Sequence, residues 1–110
     1  MAKYMLTFAY TPEAWASMIK NPSDRAAAAR GAVESIGGRM ESMYFMFGER
    51  DGILIYDAPD ADAAAAASIA VGSTGAFRSI DTRELIEPER LVGLLGKAGE
   101  ALISYRPPGS

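Results

Sequence analysis

Two uninterrupted apolar segments, Met43 to Phe47 and Ile53 to Tyr56, meet at the run Phe-Gly-Glu-Arg-Asp-Gly from Phe47 to Gly52. So short a polar break between strand-forming segments demands a tight turn, and with it an antiparallel pair of strands. Gly48 and Gly52 can take positive φ without a Cβ penalty, and Asp51 can bond its own backbone two residues on. Backbone geometry accounts for the turn. Glu49 and Arg50 at its tip leave a second reading open, a recognition loop in which Arg50 binds a carboxylate or phosphate.

The remaining elements follow from periodicity and punctuation. Tyr4 to Tyr10 places Tyr4, Leu6, Phe8 and Tyr10 on one face and Met5, Thr7 and Ala9 on the other, a strand apolar on both sides. Thr11 and Pro12 start a short helix carrying Trp15, Met18 and Ile19. Asn21 and Pro22 repeat that start signal for a second helix, with Ala26, Ala29, Val33 and Ile36 as its buried stripe and Gly37 and Gly38 as its stop. Arg39 to Phe47 and Ile53 to Asp57 are the strands joined by the turn. Met40, Met43 and Met46 step along the first of these at threefold spacing, mixing faces, and read as adaptable filler. Asp60 caps an alanine-rich helix that runs to Val71, its small side chains allowing close approach to its support. Phe77 to Leu85 is an edge strand. Glu87 and Pro88 open a last helix striped by Leu91, Leu94, Leu95 and Ala98, and Gly93, Gly96 and Gly99 within it suggest close backbone packing. Tyr105 to Ser110, with two prolines, is an extended tail.

The order strand, helix, strand, strand, helix, strand predicts an α+β, ferredoxin-like βαββαβ domain with a four-stranded antiparallel-type sheet, an extra C-terminal helix and a tail. Its first and third strands are central, and helices cover one face. At 110 residues the chain is a single domain, 1–110. The uncovered face of such a sheet amounts to roughly 400 Å². Hiding it on each of two subunits is worth on the order of 20 kcal/mol, against roughly 4 to 15 kcal/mol for association. A homodimer with sheets face to face, or a higher oligomer, is the expected partner arrangement.

Composition excludes several classes of function. With 11 Lys and Arg against 14 Asp and Glu, the net charge is −3, which gives no basic face for nucleic acid. The chain has no cysteine and no histidine, so thiolate chemistry, the commonest general base and the ordinary zinc and haem ligands are missing, and no cofactor or metal is expected. Asp60 and Asp62 are explained by the helix cap. No stretch nears the roughly 20 apolar residues that span a bilayer, and a cytoplasmic location is the default.

The Met1 to Tyr10 opening, Asn21 to Arg25, the Phe47 to Gly52 turn, Asp57 to Asp60 and the Tyr105 to Gly109 ending together resemble the GYD domain family. The resemblance implies a ferredoxin-like subunit related to the dimeric α/β barrel proteins. The glycine, tyrosine and aspartate of the family name correspond to Gly48, Arg50 and Asp51, so arginine stands where relatives carry tyrosine. Arg50 would offer a permanent cation in place of a hydroxyl.

Tyr4, Trp15, Tyr44 and Tyr56 are the candidate lining of a pocket between sheet and helices, since such aromatics combine apolar area with a directional hydrogen bond; ordinary core packing gives the same list. No catalytic constellation is recognisable, and the catalytic residues stay unknown. The leading expectation is a non-catalytic module that binds a small molecule or assembles with itself. The alternative, drawn from the related barrels, is a cofactor-independent monooxygenase or isomerase acting on a small aromatic or polar substrate.

Overall fold

A computed structural model describes residues 1–110. Alternating apolar residues build β1 (Ala2–Tyr10), and its end runs straight into α1 (Pro12–Lys20), where the Thr11 hydroxyl accepts from Ala14 N at 3.1 Å. A second helix, α2 (Arg25–Ser35), precedes β2 (Arg39–Phe45) and β3 (Gly52–Ala58). Then come α3 (Ala61–Gly72), β4 (Phe77–Glu84) and α4 (Pro88–Ser104). The strands form one antiparallel sheet in the order β2-β3-β1-β4, with β1 and β3 central. This is the ferredoxin-like arrangement the pattern predicts, with two helices in the first crossover and one in the second.

Register sorts the side chains. Tyr4, Leu6 and Phe8 lie opposite Tyr56, Leu54 and Gly52, so one face collects Tyr4, Leu6, Phe8, Tyr10, Leu54, Tyr56 and Ala58 into the buried core. Val33 of α2 and Ala64 of α3 close over it. The other face carries Met5, Thr7, Ile53 and Ile55, half-buried and covered by no helix of this chain, between charged corners. Lys3 joins Glu41 at 2.8 Å and Asp57 at 3.3 Å at one corner, and Arg83 joins Asp81 at 3.0 Å at another.

Three local expectations are corrected. The second helix starts three residues later than Asn21 and Pro22 suggest, because the Asp24 carboxylate takes the cap, accepting from Ala27 N at 3.1 Å, and leaves Pro22 in the loop. Met40 and Met43 do not alternate faces. A bulge at Glu41 puts both on the helix-covered side, in register with Tyr56 and Leu54, and frees the Glu41 carboxylate to reach Lys3. Finally, the glycines of α4 approach nothing: a Cβ on Gly93, Gly96 or Gly99 would have open space around it.

The last helix lies apart from the rest. Only Leu94 along its length is even half-buried, and Arg90 ties its start to Glu84 at 2.7 Å. The radius of gyration is 17.7 Å, against about 13 Å for a compact chain of this length. No helix is long and apolar enough to cross a membrane.

Candidate functional site

Alanine shapes a cavity between the sheet and two helices. Where α2 and α3 face the sheet they present Ala28, Ala29, Ala32 and Ala67, side chains too short to fill the space above Leu6, Phe8, Leu54 and Tyr56. About 260 Å³ is left between the layers, bounded at one end by Tyr10 and Phe77. Of the 15 residues that line it, 13 are hydrophobic, and the other two are Arg25 and Thr74. At about 30 Å³ per water, the space suits a ligand of about ten non-hydrogen atoms.

Two polar atoms lie buried behind the lining, with almost no surface open to the cavity. The Tyr56 hydroxyl and the Arg25 Nε are both buried without a hydrogen-bond partner. Such groups are rare because each leaves a desolvation cost uncompensated. Tyr56 is only 1% exposed, its ring stacked on Tyr4 at 5.8 Å. Burial pushes the Tyr56 hydroxyl above its ordinary pKa, with the neighbouring Tyr4 adding to the shift, so at neutral pH it is protonated and can donate. Tyr4 is raised as well, first by burial and then by the charges of Glu84 and Asp60.

The four aromatics singled out in the sequence do not converge. Tyr56 lines the cavity, whereas Tyr4 supports it from beside Ala64 and Thr82, outside the lining. Trp15 is 41% exposed and packs edge-on against Tyr10 at 5.1 Å. Tyr44 is 67% exposed and lies in register with Ile53, on the face away from the helices. Sequence reasoning missed Arg25 and the alanine gap above the sheet. The signal was present: Arg25 precedes Ala29 and Ala32 by four and seven residues, which puts a cation on the stripe that turns toward the core.

The signature turn does structural work on this cavity. Asp51 Oδ2 accepts from Tyr10 N at 2.8 Å, and Asp51 N donates to Phe8 O at 2.8 Å, so the aspartate clamps the end of β1 instead of bonding its own backbone two residues on. Gly48 has φ +128°, as a turn glycine can. Gly52 has no positive φ. It is required for space, because a Cβ there would sit 2.2 Å from the Phe8 ring. Arg50 donates to Ser79 Oγ at 3.0 Å, and Arg78 donates to the Glu49 carbonyl at 2.9 Å, fastening the turn to β4. Phe8 and Tyr10, the residues so positioned, are cavity walls.

An open antiparallel sheet in this strand order, with its helices on one side, defines a ferredoxin-like α+β domain. The chain belongs to the GYD domain family, whose sequence model matches residues 4–95, from β1 into the first half of α4. No curated protein matches it.

Proposed function

We propose that this chain is a non-catalytic binding protein for a small, largely apolar molecule, held between the sheet and helices α2 and α3 in each subunit of a homo-oligomer. The observation that carries this reading is the cavity of about 260 Å³ that the chain's own side chains leave unfilled. It lies just below the roughly 300 Å³ at which ordinary ligand pockets begin, and its lining of apolar walls with two polar groups is of the kind such pockets use. Leucine at Ala29 or Ala67 would fill the space. Retaining alanine forgoes that packing, as proteins do where a site must remain open. The Tyr56 hydroxyl, protonated and buried out of reach of the cavity, is poorly placed to act as a general base.

Two features support self-association. The bare sheet face presents Met5, Ile53, Ile55 and Tyr44, and α4 exposes Leu91, Leu95 and Leu102. A second copy packed sheet to sheet, as in a dimeric α/β barrel, would cover the first set and bring a projecting helix within reach of its partner.

Ala67→Leu tests the pocket. It is expected to raise the thermal midpoint while abolishing the shifts that indole produces in the amide resonances of Ala29, Ala32 and Val71. Undiminished indole binding by the filled variant would defeat the reading. Analytical ultracentrifugation tests assembly, and a single subunit persisting at high concentration would refute it.

A further inference from the structure

Resting on that pocket reading, we infer that the ligand is a small monocarboxylic acid with an apolar body, its carboxylate held by Arg25. Arg25 stands at the start of α2, half-buried, and lines the cavity. Its Nε is buried without a hydrogen-bond partner. Arg25 enters none of the chain's ion pairs. A guanidinium in an apolar wall, unneutralised by its own chain, is a standing receptor for an anion. Its planar fork matches a carboxylate better than any neutral group.

The surroundings select charge and size. No aspartate or glutamate lines the cavity, although the chain as a whole is acidic, so attraction is local to Arg25. Glu13 borders an adjoining depression that Arg25 shares, without pairing with it. Arg25 is the only cation in the lining, and the Ala27 amide of the first turn is already taken by Asp24. One positive charge in the lining answers a monoanion. A phosphate dianion would remain half balanced, with the Asp24 carboxylate beside it. The volume suits a single ring or a short branched chain.

The test compares 4-hydroxybenzoate with 4-hydroxybenzamide, a pair matched in size and differing in charge, titrated into the full chain at pH 7 and followed by the amide resonances of Ala29, Ala32 and Val71. The acid should bind about tenfold or more tightly than the amide. Arg25→Gln should bring the two to parity and Arg25→Lys should restore part of the preference. Circular dichroism confirms that each variant is folded. Equal binding of acid and amide by the wild type overturns the carboxylate assignment and leaves the pocket standing, as does a preference that survives Arg25→Gln. If neither probe moves the lining resonances and indole does not either, both readings fall.

Discussion

Helices α3 and α4 invert the usual order of hydrophobicity. Ala64 in α3 is 2% exposed, while Leu91 and Leu95 in α4 are 46% and 61% exposed. The alanine helix is held to the sheet by its buried Ala64 and by a hydrogen bond between the Ser68 and Thr82 hydroxyls at 2.6 Å. The leucine helix has a stronger apolar stripe and no surface in its own chain to set it against. Burial follows what lies opposite a side chain. An apolar stripe states a requirement, and only the arrangement of the other elements determines whether one chain can meet it.

The largest effect that would sharpen this contrast is expected at Gly52. A Cβ there meets a Phe8 ring wedged edge-on against Tyr10, Phe45 and Phe77, so Gly52→Ala should cost about 3 kcal/mol in urea unfolding. A change under about 0.5 kcal/mol would mean that the packed half yields as easily as the free one. Next is Asp51→Ala, which strands the Tyr10 amide and should cost about 2 kcal/mol, with Asp51→Asn recovering part because its amide oxygen still accepts. The smallest effect, of opposite sign, belongs to α4. Gly96→Ala adds a Cβ into open space and should stabilise the helix by about 1 kcal/mol, read as increased helicity by circular dichroism. Should the same change lower the oligomer fraction in sedimentation, the glycine face is where a second copy approaches, and the contrast between the helices disappears on assembly.

Much of the fold was legible because its signals are local. The Thr11 and Asp60 caps, the two-residue alternation of β1 and the break at Phe47 to Gly52 each act over a few residues, and each stands in the structure. What could not be read depends on distant partners. The bulge at Glu41 carries no glycine or proline, and it follows from matching β2 to β3 while Lys3 draws the Glu41 side chain across the sheet. Asp51 looked like a self-contained turn residue because Tyr10, its actual partner, is 41 positions away. The pocket escaped for the same reason. Tyr4, Trp15, Tyr44 and Tyr56 shared a residue type and not a location, whereas Arg25 looked like one more charge near a helix start.

The sequence by itself determined the class of fold, the strand order and the need for an apolar face to be covered, because side-chain period and turn chemistry are properties of neighbouring residues. Tertiary structure alone decided that alanines on two helices leave a space over Leu54 and Tyr56, that Arg25 lines it without an ion-pair partner, and that α4 stands free. A cavity is the shape left between surfaces brought together from distant parts of the chain, and no local pattern encodes it.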